Sequence, residues 1–370
     1  MIFLLKFMMS WLKRSDKVQL PSYIYIVVNN KCNLKCKMCD VGQNVDSQFY
    51  RNMVREPELT VEQWKFFIDD LCGVYSKESR PCIAITSTEP LMYKGLFDVI
   101  KYAKEKNFKV QLTTNGLLLP KYYKEVIESG VDDLWVSIDG PREVHNEIRG
   151  NPHVYDNAIN GLKLIKSDEQ YKILKLPNIY LNYTITDKNY LFLEKFIFDI
   201  IWHEEIPFKS VCYSHLNFVT QNMSSRSNQQ YGDICVSTPT CISGIDFSVF
   251  TRRVADLLSV QTSSILKIYT EFASFSPNIV KSEDIYNFYN HPEKYISNHT
   301  QCTTPWRAAQ IFCNGDVGVS TRCFNLSFGN ITKESFSDIW NGERINSFRK
   351  SLSKTENGSF PACTRCCSVF

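Results

Sequence analysis

The stretch NNKCNLKCKMCD, residues 29–40, places Cys32, Cys36 and Cys39 within eight positions and offers no fourth thiol beside them. A structural zinc site normally closes with four protein ligands, and a ferredoxin-type cluster takes one thiolate for each of four irons. Three thiolates on a four-iron cube leave one iron open to another ligand. A zinc site with a distant fourth ligand fits the same spacing, as do reactive or buried thiols, so the surrounding chain must decide.

Working outward, the loop follows a β-rich run, Tyr23 to Val28. Further runs of this kind recur at Ile83 to Thr86, Lys109 to Thr114, Leu134 to Ile138, Ile179 to Ile185 and Phe208 to Tyr213. Helical patterns fill the gaps. The first starts at the capping box TVEQ at Thr60 and sets Trp64, Phe67, Ile68, Leu71 and Tyr75 on one face; others lie near 93–106, 120–129, 153–166 and 188–203. Strand, crossover helix, strand is the grammar of a parallel sheet. Six units predict a partial (β/α)6 TIM-like barrel, short of the eight of a closed one. Ligands in such folds bind at the carboxyl ends of the strands. Here those ends read TSTEP, LTTNG, WVSIDG and LNYTITDKN, polar where a buried sheet would continue apolar.

The composition agrees. In 370 residues, 44% hydrophobic side chains are ample for a core, and a net charge of +3 without a basic stripe argues against a nucleic-acid partner. Fourteen cysteines without a secretory signal suit metal ligation in a reducing cytosol, so the compartment expected is cytoplasmic. The opening run MIFLLKFMMSWLKRSDK is too short to span a bilayer, which needs about 20 apolar residues. Residues 1–20 read as an amphipathic helix with Lys6, Ser10 and Lys13 on one stripe. That helix suits packing beneath the barrel, with peripheral contact to an anionic membrane as the second reading.

The barrel is expected over 21–218 and a connecting segment over 219–298. Within that segment, 217–245 reads as a polar loop, 246–260 as a helix and 264–272 as a strand. A second cysteine group marks a small auxiliary domain over 299–370. Fifteen residues separate Cys302 from Gly318, four more precede Cys323, and Cys363 and Cys366 follow as CxxC. Four thiols of this kind close around one cluster or one zinc, with Cys313 or Cys367 as substitutes for one ligand. Cys72, Cys82, Cys212, Cys235 and Cys241 have no partner at ligand spacing and read as small buried side chains.

With these residues in view, the chain resembles radical S-adenosylmethionine (SAM) enzymes of the SPASM/twitch group. The resemblance rests on CNLKCKMC, STEP, TTNG, SIDG with the later HNEIRG, and the C-terminal CNGDVGVSTRC, FGNI, DIWN and CTRC. It runs from about residue 22 to 367. It implies two 4Fe-4S clusters, SAM as cofactor and an external one-electron reductant. The open iron would chelate the amino and carboxylate groups of SAM, whose reductive cleavage gives a 5'-deoxyadenosyl radical. By the same resemblance, Cys32, Cys36 and Cys39 ligate the first cluster and Cys302, Cys323, Cys363 and Cys366 the second. Met38 stands beside the adenine. Ser87, Thr88, Glu89 and Pro90 align with the family's GGEP, which takes the methionine amino group, although both glycines are replaced. Ser137 and Arg149 are candidates for the SAM carboxylate, and Asp139, Asn182 and Thr184 for the ribose and adenine. A small-molecule substrate is favoured over a peptide. The leading expectation is oxidation of a sugar, nucleotide sugar or aminocyclitol, with epimerisation as the rival outcome.

Overall fold

The computed structural model describes residues 18–39, 56–168, 175–206, 208–232, 234–238, 244–262, 273–296, 300–320, 323, 326–355 and 357–366. The expected N-terminal helix therefore lies outside the described residues except for its last three positions, and so do Cys241, Cys367 and the expected strand at 264–272.

A single nine-stranded sheet organises the chain, in the order β7-β6-β5-β4-β3-β2-β1-β8-β9. The first six strands are those the alternation predicts: β1 (Tyr23–Ile26), β2 (Cys82–Ile85), β3 (Lys109–Thr114), β4 (Asp133–Ser137), β5 (Asn178–Ile185) and β6 (Ser210–His215), all parallel. Between them run α1 (Val61–Val74), α2 (Leu96–Glu105), α3 (Leu119–Glu128), α4 (Arg142–Arg149), α5 (Val154–Ser167) and α6 (Leu193–Phe198). The Thr60 capping box forms as read, with Gln63 as its partner, and Trp64, Phe67, Ile68 and Leu71 are buried behind it.

Alternation along the strands divides the sheet into two chemically different faces. Ile24, Ile26, Ile83, Val110, Leu134, Leu181 and Val211 point one way and join the helices in the main hydrophobic core. Right-handed crossovers place α1, α2, α3, α5 and α6 on that side. The opposite face carries Tyr25, Gln111, Trp135, Tyr180, Asn182 and Ser214, all partly or fully open to solvent. That face is the lumen.

Three strands extend the sheet beyond the expected six. β7 (Ala273–Ser276) continues it in parallel beside β6. At the other edge β8 (Ala308–Ile311), from the C-terminal region, pairs in parallel with β1, and β9 (Val317–Gly318) folds back antiparallel on β8. The polar reading of 217–245 as a loop is corrected by α7 (Gln221–Tyr231). Thr220 caps that helix, and its buried residues Met223, Ser224 and Ser227 dock on the C-terminal region. The connection then continues through α8 (Phe247–Thr262) and α9 (Ser282–Asn290). After the short α10 (Thr304–Arg307) and the two strands come α11 (Phe336–Asn341) and α12 (Glu343–Ser353). α11 packs on α1 through Phe336 against Phe67 and through a bond from its first amide to Asp70.

Candidate active site

The cysteine loop leaves β1 and is held by its neighbours rather than by regular structure. Asn29, 1% exposed, is the hub. Its amide nitrogen donates to the Glu89 carbonyl at 2.8 Å, its side-chain oxygen accepts from the Lys31 amide at 3.2 Å, and its backbone carbonyl accepts the Thr88 hydroxyl at 2.9 Å. The STEP strand end is thereby tied to the root of the thiol loop.

From the far side α4 clamps the same loop. The Lys37 amide donates to the Ile148 carbonyl at 2.8 Å, and Arg149 brings a guanidinium nitrogen to 3.8 Å from the Cys36 sulfur. Gly150 closes α4 at φ +67°, where a Cβ would stand 2.9 Å from the Lys35 carbonyl, so only glycine admits the loop this closely. Burial pushes the Cys36 thiol up to about 11 against the pull of Arg149. Cys32 is exposed and Cys39 half-buried. Met38 packs with Leu34, Cys36, Cys39, Leu117 and Val154.

The acidic candidates prove to be deeply engaged. Glu89 is fully buried; its carboxyl accepts from the Thr114 hydroxyl at 2.8 Å, the Asn115 amide at 2.8 Å and the Leu91 amide at 3.1 Å. Three of roughly four acceptor positions are thus taken. Burial raises this carboxyl to about 7, despite those donors. Asp139 is also fully buried. One oxygen accepts from Arg149 Nε at 2.5 Å and the other from the Thr184 amide at 2.8 Å, while its own amide donates to His145 Nδ1. Asp139 and Arg149 therefore form one buried pair that ties the end of β4 to the thiol loop. Ser137, at the end of β4, and Asn182, within β5, stand side by side in register.

At Ser87 the backbone has φ +91°, a conformation that glycine adopts freely and serine rarely. The geometry of the missing glycine is retained, with the strain carried by the chain. The Thr88 hydroxyl, bonded to Asn29, helps to hold it there.

The second thiol group forms a cavity. Cys302, Cys323, Cys363 and Cys366 line it together with Pro305, Val319, Leu326, Phe348, Leu352 and Phe360. Burial pushes Cys302 up to about 11 and raises Cys323 and Cys363 well above the usual thiol range, since thiolates in such surroundings lack solvation. The CxxC turn is fixed by Arg365, which is fully buried and donates to the carbonyls of Asn287, Phe288 and His291 at the end of α9, and to those of Lys294 and Thr364. Among the described residues, no three His, Cys, Asp or Glu side chains converge on the place of a single metal ion. Four cysteines lining one shared space suit a cluster with one ligand per iron.

Three participants were not marked by spacing. Asn29 carries no motif of its own, and Asn115 entered only as part of TTNG, without a role; Asn115 donates to the Asn33 side chain at 2.8 Å, and its amide nitrogen stands 4.0 Å from the Cys32 sulfur. The third is Cys235, which lines the same cavity as the four C-terminal thiols. It is buried, as its reading as a small buried side chain expects, and its place on the cavity is what spacing did not mark. Cys313, a proposed substitute, is fully buried but is not among the cavity's lining residues.

Residues 26–185 match the family described as the Radical SAM superfamily, and residues 302–367 the SPASM family, described as an iron-sulfur cluster-binding domain. The chain is a radical SAM enzyme with a SPASM domain. Its cofactors are 4Fe-4S clusters and SAM. Among similar proteins, Fe-coproporphyrin III synthase of Methanosarcina barkeri is 27% identical over 344 residues, covering 88% of this chain and 77% of that one. AdoMet-dependent heme synthase of the same organism is 32% identical over 145 residues, 38% of either chain. Among solved structures, Streptococcus suis SuiB bound to SAM superposes with a TM-score of 0.62 at 15% identity, over 96% of this chain and 75% of that one. This last likeness concerns the fold. Among the described residues, no helix is long and apolar enough to cross a membrane.

Proposed function

We propose that this radical SAM enzyme oxidises a small ring-shaped molecule, with a tetrapyrrole as the first candidate, bound against the lumen face of the sheet. The observation that carries the reading is the aromatic floor of that face. Trp135 and Tyr180 stack in adjacent strands with ring centroids 4.5 Å apart and planes 13° apart. Gln111, whose amide donates to Asp133 at 3.0 Å, and Asn182 lie on the same face at neighbouring positions of the sheet. Stacked rings with amides on the same face favour a planar or cyclic molecule with polar substituents over an extended peptide. The similarity, over 88% of this chain, to a coproporphyrin-related synthase supports the tetrapyrrole over the sugar expected from the sequence, which has no counterpart in the names of the relatives described above.

In this reading Cys32, Cys36 and Cys39 hold the cluster with the open iron. The backbone at Ser87 and Thr88, the remaining acceptor position of Glu89 and the hydroxyl of Ser137 orient SAM, while Pro90 starts the turn behind them and Met38 packs at the adenine side. Asp139, Arg149 and the amide of Thr184 set the position of the loop, and Asn182 faces the nucleoside. The cluster and SAM, when bound, supply a carbon-centred radical that removes hydrogen from an unactivated carbon. The sheet keeps that position out of bulk water on the helix side, and the C-terminal region covers the β1 edge. Cys302, Cys323, Cys363 and Cys366 leave no iron open, which favours electron acceptance and hence an oxidised product over epimerisation. An external one-electron reductant is required.

The test is anaerobic turnover with SAM and reductant, with 5'-deoxyadenosine measured in the presence of coproporphyrin-type tetrapyrroles, nucleotide sugars and peptides. A tetrapyrrole should stimulate it and be converted to a lighter product, and Trp135→Ala should weaken that response. Stimulation by peptides alone would overturn the proposal.

A further inference from the structure

Cys235 comes from a part of the chain with no cysteine motif, yet the fold presents it to the auxiliary cavity with care. Asn228 on α7 uses its whole amide for this. Its oxygen accepts from the Ile234 and Cys235 amides at 3.1 and 3.2 Å, and its nitrogen donates to the Cys235 carbonyl at 2.8 Å. α7 is itself fastened to the CxxC turn, because Ser227 accepts the Ala362 amide at 2.8 Å. Cys235, Cys302 and Cys363 then share one apolar cluster with Val219, Met223, Leu352 and Phe360. Cys235 and Cys323 line the same cavity. Among the described residues, five thiols thus line a cavity whose proposed cluster needs four.

We infer that Cys235 is a reserve ligand of the auxiliary centre, placed to bind iron when Cys323 is absent or released. The inference rests on the assignment of Cys302, Cys323, Cys363 and Cys366 as ligands. In the exchange the Cys235 thiol gives up its proton as its sulfur bonds iron, and the departing Cys323 thiolate takes up a proton, so no electron is gained or lost. The Asn228 oxygen, 3.7 Å from the Cys235 sulfur, accepts the S–H bond while the thiol waits. The apolar lining keeps water from competing for the vacated iron.

The test uses the full chain with Cys32, Cys36 and Cys39 replaced by alanine, so that iron and sulfide report the auxiliary centre alone. After anaerobic reconstitution this parent should hold about four irons. Adding Cys235→Ala should leave that number unchanged, and adding Cys323→Ala should retain most of it, with an altered electron paramagnetic resonance spectrum in the reduced state. Combining Cys323→Ala with Cys235→Ala should drop the iron below about one per chain. Far-UV circular dichroism and thermal melting of the iron-free forms of all variants check that each folds. Equal loss of iron in Cys323→Ala with and without Cys235 would overturn the inference. So would loss caused by Cys235→Ala alone, which would make it a resident ligand. A parent holding no iron would sink the cluster assignment and this inference together.

Discussion

Cys32, Cys36 and Cys39 share one short loop among amides, a buried ion pair and the ends of strands, whereas Cys302, Cys323 and the Cys363/Cys366 pair arrive from three separate stretches and meet valine, leucine and phenylalanine. The contrast fits the roles proposed for the two groups. An iron left open needs a polar wall, because the ligand that completes it carries charge and must be oriented. A set of thiols that completes its own cluster needs only exclusion of water and firm anchoring. At the first site the anchoring is electrostatic, through Arg149 and Asp139; at the second it is the packing of α7 and the Arg365 clamp.

The contrast is broken most directly by removing thiols. Replacing Cys32, Cys36 and Cys39 together with alanine should remove about half the iron and reduce 5'-deoxyadenosine formation to background. Replacing Cys363 and Cys366 should leave 5'-deoxyadenosine formation in place while the two-electron product, followed by mass, disappears. If both sets abolish SAM cleavage alike, the division between open and closed sites fails.

The anchoring of the closed site depends on Arg365, whose forked donors serve five carbonyls. Arg365→Ala leaves those carbonyls without their partner and should cost roughly 3–5 kcal/mol, seen as a drop in melting temperature and earlier loss of the auxiliary irons. Arg365→Lys should recover only part of this, because a lysine cannot reproduce the fork.

A smaller effect separates the open site from the β6-α9 packing, which belongs to neither thiol group, by acid. At the open site burial holds the Glu89 carboxyl at about 7, so its contribution to stability is fully present below the usual carboxylate range and is lost as pH rises through about 7. His215, buried between β6 and α9, bonds Tyr289 and the Ile279 carbonyl, and burial lowers its imidazole to about 4. Its contribution is present above about 6.5 and is lost as pH falls through 4. In the cofactor-free protein, Glu89→Gln should raise the melting temperature at pH 8 and not at pH 4. His215→Gln should flatten the decline between pH 6.5 and 4, a change on the order of 2–3 kcal/mol for either group. Parallel responses from both variants would contradict the assignment.

Most of the barrel was legible because its signals are local. A capping box at Thr60, a run of β-branched residues before each polar strand end, and three cysteines in eight positions all announce themselves within a few residues. The same holds for Arg149 and Gly150, although their work on the thiol loop was visible only once Lys35 and Cys36 stood beside them. What escaped was non-local or lay in polar chain. α7 has a weakly apolar face and is helical because Thr220 caps it and the C-terminal region covers Met223 and Ser227. Cys235 has no ligand spacing at all, since 66 residues separate it from Cys302. β8 reads as a short apolar run, but nothing near it in sequence says that its partner is β1.

That pairing of β8 with β1 bears on how the protein is made. Roughly 280 residues of chain separate the two strands, and at about 5–20 residues per second a ribosome needs on the order of 15–60 seconds to supply the second after the first. Throughout that interval β1 can pair with β2 on one side while its other edge waits open, with the cysteine loop at its end. The nascent barrel is exposed for most of its synthesis to the association that open edges invite, and only the last part of the chain relieves it. Termination of translation shortly before Ala308 would therefore release a barrel with an unpaired leading strand, a species for chaperones and proteases rather than a smaller working enzyme.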